Sequence, residues 1–134
     1  EIRLSLVGSE MCIRDSPGGG VTFGTLTAES SNARTQSLTV TDGAGDPSPY
    51  ALVYVWLSDV ATGAGVVASA ASSALAAGTN GKLMDSNVTG KMALFQTDSQ
   101  GRLDVVITDT AVRTVYLAVE SGGTVAVSSA IAFA

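Results

Sequence analysis

The chain has no histidine and a single cysteine, Cys12, and only 14% of its 134 residues are charged. Without an imidazole there is no Ser-His-Asp or Cys-His nucleophile and no histidine general base. One thiol closes no disulfide within the chain, and the usual Cys and His ligand sets of zinc sites are missing. Seven Lys and Arg stand against twelve Asp and Glu, a formal charge of −5. Nucleic acid and anionic membrane are therefore not expected partners, because phosphate binding draws on clustered positive charge. What is plentiful is small or apolar: 46% of residues are hydrophobic and 15 are glycine. That balance describes one domain with a real core, not a disordered acidic tail.

Glu1 to Ser16 reads EIRLSLVGSEMCIRDS. The stretch Leu6-Val7-Gly8-Ser9-Glu10-Met11-Cys12-Ile13-Arg14-Asp15 resembles, codon for codon, a translated sequencing adapter. That adapter reads CTC GTG GGC TCG GAG ATG TGT ATA AGA GAC, and the AG that follows opens Ser16. The alternative is an amphipathic segment or the remnant of a signal peptide, for which Leu4, Leu6 and Val7 are too few apolar residues. Residues 1–16 are thus expected to be non-biological and to lie outside the fold. A chain beginning at Pro17 is expected to keep its melting temperature. Cys12 then leaves the chemistry altogether, and nine acids face five bases for a net charge of −4. On this reading a signal peptide or an upstream domain could precede Pro17 in the gene.

Pro17-Gly18-Gly19-Gly20 reads as a flexible lead-in, and residues 21–134 as one domain of short β-rich runs punctuated by turns. Val21 to Thr27 and Arg34 to Thr41 alternate as half-buried strands do. Asp42 to Pro49 is a dense Asp, Gly and Pro turn. Tyr50 to Leu57 is apolar on both phases and is expected to be a central strand covered on both faces. Lys91 to Thr97, Arg102 to Thr108, Arg113 to Glu120 and Thr124 to Phe133 continue the series, with turns at Asp98-Ser99-Gln100-Gly101, Asp109-Thr110 and Ser121-Gly122-Gly123. This spacing predicts an all-β antiparallel sandwich or barrel of about seven strands, of which the sandwich is the expected form. Its core candidates are Phe23, Leu38, Val40, Val53, Val55, Leu94, Val105, Ile107, Val115, Leu117 and Ile131. Ala61 to Ala77, rich in Ala, Ser and Gly, has good helix formers but no helical stripe, so a long irregular connection with some strand is expected. It is too short and too polar to span a membrane.

Two turns carry a resemblance. Leu38-Thr39-Val40-Thr41-Asp42-Gly43-Ala44-Gly45-Asp46-Pro47 resembles the early turn of bacterial immunoglobulin-like domains of the invasin type, and Thr97-Asp98-Ser99-Gln100-Gly101-Arg102 resembles their second marker. The physical need is that Asp caps its own turn and Gly takes the left-handed position closing it. A broader likeness covers nearly all of Val21 to Ala134. Val53-Tyr54-Val55-Trp56-Leu57-Ser58-Asp59, Gly78-Thr79-Asn80-Gly81-Lys82-Leu83, Gly90-Lys91, Thr114-Val115-Tyr116-Leu117 and Ser129-Ala130-Ile131-Ala132-Phe133-Ala134 look like small proteins encoded by tailed phages. The likeness departs at the Ala-rich Val66 to Ala77. It implies an immunoglobulin-like sandwich working as a non-enzymatic structural or interaction module of a phage head, neck, tail or fibre, located in the virion. Other virion proteins, copies of itself or a host-surface glycan would be its partners. The alternatives are an invasin-type adhesion domain at a bacterial surface or secreted, and a carbohydrate-binding module.

No catalytic residue, cofactor or metal ligand is assigned. Asp42, Asp46, Asp98, Asp104 and Asp109 are calcium-type ligands, but they lack the twelve-residue loop spacing and are expected to cap turns. Asp59 and Asp85 are considered as a carboxylate pair, although nothing in the sequence brings them together. Gly18-Gly19-Gly20 and Gly43-Ala44-Gly45 precede no helix that would hold a phosphate, and Asn87-Val88-Thr89 is a glycosylation acceptor by letter only. Tyr50, Tyr54 and Trp56 would suit a sugar-stacking platform, but their adjacency on one strand favours core and inter-strand packing. The closing Val125 to Phe133 run, unguarded by proline or charge, would make a sticky edge strand, and together with the sparse surface charge it points to a homo-oligomer or larger assembly.

Overall fold

The computed structural model describes residues 20–134. The expected adapter tail, and all of the lead-in before Gly20, lie outside the described residues. Ten strands follow in order: β1 (Val21–Leu26), β2 (Ala33–Val40), β3 (Leu52–Ser58), β4 (Ala76–Ala77), β5 (Lys82–Val88), β6 (Met92–Gln96), β7 (Arg102–Thr108), β8 (Arg113–Ser121), β9 (Thr124–Val127) and β10 (Ile131–Phe133). They form two antiparallel sheets, one of order β1-β2-β7-β4 and one of order β10-β8-β3-β6-β5 with β9 also paired to β8. The chain is thus an all-β sandwich, with more strands than the seven expected. β4 is only two residues long, β5 arises in a stretch to which no strand is assigned from the sequence, and the closing strand is broken into β9 and β10.

Turn chemistry sets the hairpins. Between β1 and β2, Ser31 and Asn32 sit at φ 53° and 65°, and Ser30 and Ala33 exchange two backbone hydrogen bonds of 3.0 Å. Two left-handed residues in a two-residue loop match the right-handed twist of the flanking strands. Between β8 and β9 the same job falls to Gly122 and Gly123, φ 57° and 86°, with Glu120 accepting a bond from the Gly123 N–H at 2.9 Å.

The space between the sheets holds Leu38 and Val40 of β2, Val53, Val55 and Leu57 of β3, Leu103, Val105 and Ile107 of β7, and Val115, Leu117 and Val119 of β8. Each of these side chains contributes roughly 1.5–3 kcal/mol relative to exposure. Ile131 joins them, and Phe23 packs against the cluster while partly exposed. Leu94 does not. Its strand is apolar on both phases, and the register that sets Phe95 opposite Val53 sends Phe95 inward and Leu94 outward, opposite Tyr54. β3 corrects a second expectation: it is central, but only one of its faces is covered by the other sheet. Val53, Val55 and Leu57 are buried, whereas Leu52 and Tyr54 are 56% and 44% exposed.

The connection from β3 to β4 is irregular, without helix, as expected. Val67, Ala71 and Leu75 dip into the core at four-residue intervals.

Candidate functional site

The outer face of the larger sheet carries several exposed large apolar side chains. Its register aligns Tyr54 with Leu94 and Glu120, and Leu94 in turn with Asp85 of β5. One row away, Leu52 pairs with Gln96 and Gln96 with Lys82. In the opposite direction Trp56 lies between Met92 and Ala118. That row is roofed by the loop after β3, where the Trp56 indole N–H donates to the Gly63 carbonyl at 3.0 Å. The β5 end of the same row, at Val88 opposite Met92, stays open. Leu52, Tyr54, Met84, Val88 and Val125 remain exposed, so the open part of the sheet presents apolar and aromatic groups where antiparallel sheets usually turn polar residues to water. Tyr54 and Trp56 are therefore not core residues: the alternation of β3 places them with Leu52 on the outer side.

The closing run is an edge strand, but it is guarded in ways the sequence did not reveal. Three residues, Ser128 to Ala130, face only two on β8 between the Ala118–Val127 and Val115–Ile131 pairs. Ser128 fills this bulge, its hydroxyl accepting from the Leu117 N–H at 3.0 Å and donating to the Ser129 carbonyl at 2.8 Å. Beyond it, Arg34 donates to the Ala132 carbonyl at 2.8 Å and the Ala134 N–H donates to Glu29 at 2.9 Å. Bulges and charged side chains are the devices that stop a strand edge from recruiting another strand.

The aspartates cap turns. Asp42 accepts from the N–H groups of Ala44 and Asp46 at 2.9 and 3.0 Å, and Asp98 from those of Gln100 and Arg102 at 2.8 and 2.9 Å. The two turns meet at one end of the sandwich: the Val40 N–H donates to Gly101 at 2.8 Å, and the Ser48 N–H to Val40 at 2.9 Å. Gly101 lies at φ 72°, and a Cβ there would stand 2.6 Å from the Val40 carbonyl oxygen, so both the turn and the contact require glycine. Burial alone would raise the Asp98 carboxyl; the N–H bonds from Arg102 and Gln100 and the Arg102 side chain outweigh it and hold Asp98 below the usual carboxylate range.

Asp104 is buried and accepts from the Asn80 N–H and side-chain amide at 3.1 and 3.2 Å. Asp109 pairs with Arg113 at 2.6 Å and accepts from the Ser72 hydroxyl at 3.2 Å. Asp59 accepts from the Ala68 N–H and Asp85 from the Asn87 amide, so these two carboxylates serve separate local contacts and make no pair. Among the described residues no three His, Cys, Asp or Glu side chains come together as a metal site.

Beside the Asp98 turn lies an open groove of about 350 Å³, lined by Tyr50, Thr79, Gly81, Lys82, Gln96, Thr97 and Asp98. Tyr50, 61% exposed, has φ 55°. The prolines around it signal a turn, but no sequence signal marks a left-handed tyrosine.

No family model, curated protein or solved structure matches the chain.

Proposed function

We propose that the chain is a non-enzymatic structural module of a tailed-phage particle, an immunoglobulin-like sandwich that works by docking other virion proteins or further copies of itself. The single observation that carries the docking role is the open apolar face of the larger sheet at Leu52, Tyr54, Met84 and Val88. Burying such a face against a partner is favourable at about 25 cal/mol per Å² of apolar surface.

The strand order supports the immunoglobulin-like reading. β1-β2-β7-β4 corresponds to the order A-B-E-D of that fold, and β10-β8-β3 to G-F-C, with the β5–β6 hairpin inserted between D and E. The adjoining Asp42 and Asp98 turns add the invasin-type signature. Trp56 departs from antibody-like domains, since it lies on the outer face and not in the core. The phage context comes from the sequence likeness over residues 21–134, and with it a location in the virion.

Gene neighbours test the context: capsid, portal or terminase genes support it, whereas repeated sandwich domains or an anchor in the same reading frame favour a surface adhesin. The molecular role is tested by co-purifying the chain with the products of those neighbours. Capture that disappears when Leu52 and Tyr54 are both changed to Thr supports docking through this face. Hydrolysis of a glycan or peptide panel by the purified protein would overturn the non-enzymatic reading.

A further inference from the structure

Tyr50 is the one bulky residue with a left-handed backbone among the described residues. For an aromatic side chain that conformation costs free energy and persists only where the surroundings over-determine it. Here they do. The Tyr50 N–H donates to the Asp98 carbonyl at 3.1 Å, and the Gln96 amide donates to the Tyr50 carbonyl at 3.2 Å. On either side, the Thr97 hydroxyl donates to Ser48 at 2.9 Å and accepts from the Ala51 N–H at 2.8 Å. All four bonds act on the backbone of the turn. None explains why the side chain is tyrosine, for which glycine or asparagine would be the unstrained choice. The ring is not in the core either, being 61% exposed on the wall of the groove.

The groove's other groups define what would complement that ring. Asp98 is already paired with Arg102 at 3.0 Å and Lys82 brings a single exposed charge, so no cluster of one sign calls for an ionic ligand. With Thr79 and Gln96, Lys82 and Asp98 set hydrogen-bond donors and acceptors around an apolar patch. A peptide strand added along β5 is disfavoured, because the β5 register breaks between Leu83 and Asp85 and again before Val88. A flat ligand with an apolar face and a rim of hydroxyls remains. The volume is near the small end of ligand pockets, roughly 300–1,000 Å³, and suits one ring.

We propose that this groove is a subsite for a neutral hexopyranose unit of a glycan, its C–H face stacked on Tyr50 and its hydroxyls held by Thr79, Lys82, Gln96 and Asp98. Asp98 Oδ1 is filled by the N–H groups of Gln100 and Arg102, and Oδ2, bonded to Arg102 alone, has room to accept one hydroxyl. The site is distinct from the apolar sheet face and stands whether or not that face docks a virion protein. A groove this open holds a single ring weakly, with a dissociation constant on the order of millimolar.

The test is an NMR titration of the whole chain with cellohexaose, maltohexaose and N-acetylated chitohexaose. Saturable amide shifts at Tyr50, Thr79, Lys82, Gln96 and Asp98 with at least one of them are expected. Tyr50→Gly and Tyr50→Asn should weaken that binding at least tenfold while leaving Tm unchanged or higher, since both residues accept the left-handed backbone. Lys82→Ala should weaken it several-fold, and Tyr54→Thr should leave it intact. Absence of shifts up to 20 mM of all three sugars would overturn the proposal, as would shifts centred on Tyr54. A fall of several degrees in Tm for both Tyr50 variants would also overturn it, because the ring would then be a structural element.

Discussion

Leu117 and Leu75 are equally buried, 0% and 1% exposed, yet the chain reaches these positions in opposite ways. Leu117 sits in β8 opposite Leu57 of β3 on one side and at the Ser128 bulge on the other, where its N–H donates to the Ser128 hydroxyl at 3.0 Å and its carbonyl accepts from the Ser128 N–H at 2.9 Å, so its backbone is satisfied within the sheet and its side chain is free to pack. Leu75 ends a strap, residues 59–75, whose own pairing is almost nil. There the backbone is tied down by groups sent from elsewhere. The Val67 N–H donates to Leu57 and the Ala71 N–H to Gly90, each at 2.9 Å. Lys91 reaches the Ala68 carbonyl at 3.1 Å and Arg113 the Ser69 carbonyl at 2.9 Å. Bonds from Lys91 and Arg113 to strap carbonyls, from the strap's own Asp59 to the Ala68 N–H and from the Ser72 hydroxyl to Asp109 stand in for a ladder, and small side chains let the strap lie close enough to make them.

Cavity substitutions should separate the two regions most sharply. Leu117→Ala should cost about 4 kcal/mol, because the ladder on both sides of β8 prevents collapse around the void. Leu75→Ala should cost about 2–3 kcal/mol, since an unpaired strap can settle inward. Urea unfolding gives both numbers. Native-state hydrogen exchange adds the mechanism: the strap amides of Val67 and Ala71 should open in Leu75→Ala at free energies well below that of global unfolding. Equal costs and uniform protection would mean that strap and sheet form one cooperative unit.

Gly90 meets the strap from the other side. At φ 71° it faces the strap so closely that a Cβ would stand 2.5 Å from the Ala71 carbonyl oxygen and 2.9 Å from the Ala71 nitrogen. Gly90→Ala should therefore cost about 2–3 kcal/mol, combining left-handed strain with displacement of the strap. Gly122→Ala provides the reference, having φ 57° and nothing within 4 Å of the added carbon; it should cost only about 1 kcal/mol. If the two match, the strap yields without cost.

The clip between Asp109 and Arg113 gives the strap a pH dependence. Burial by itself would raise the Asp109 carboxyl; the Ala111 N–H, the Arg113 side chain and its charge, and the Ser72 hydroxyl outweigh it and lower it below its ordinary value. A carboxyl lowered in the folded state stabilises the fold above its unfolded pKa, about 3.9, and this contribution is lost as pH falls through the folded value. Stability should thus decline below about pH 4. Asp109→Asn should lower stability at pH 7 and flatten that acid limb, and Asp98→Asn should do so less, because the Asp98 pair is more exposed. An unchanged limb in Asp109→Asn would assign the acid sensitivity to other carboxylates.

What the sequence disclosed follows the same division. Alternation in β2 and β7 located Leu38, Val40, Val105 and Ile107 correctly, because on those strands only one phase is consistently apolar; Asp104, on the other phase of β7, is buried through its bonds to Asn80. On β3 and β6 both phases are apolar, and only pairing distinguishes Phe95 from Leu94 or Val53 from Tyr54. The Asp42 and Asp98 turns were legible because their bonds are local, two to four residues apart. Arg113 was not, since the strap carbonyl it holds is 44 residues away. The left-handed Tyr50 was hidden for a related reason: Pro49 announces the turn, but the groups that hold tyrosine in it come from Gln96, Thr97 and Asp98.

The smallest effect on stability should come from the surface with the largest proposed role. Leu52 and Tyr54 are exposed on the open sheet face, so replacing both with Thr removes little buried area and puts a β-branched residue, which suits a strand, at each position. The double variant should unfold within about 0.5 kcal/mol of the parent chain. Its association should change far more. Any self-association seen by light scattering at high micromolar concentration should be lost, and an equivalent double change on the smaller sheet, Thr22→Ser with Thr25→Ser, should leave it intact. The guarded β9–β10 edge gives the contrasting outcome. If Arg34→Ala raises association while the Leu52 and Tyr54 double variant does not reduce it, copies join through the strand edge, and the apolar face is not the docking surface. A double variant destabilised by more than about 2 kcal/mol would mean that these side chains are packed within the folded chain itself, and the docking role would fall with it.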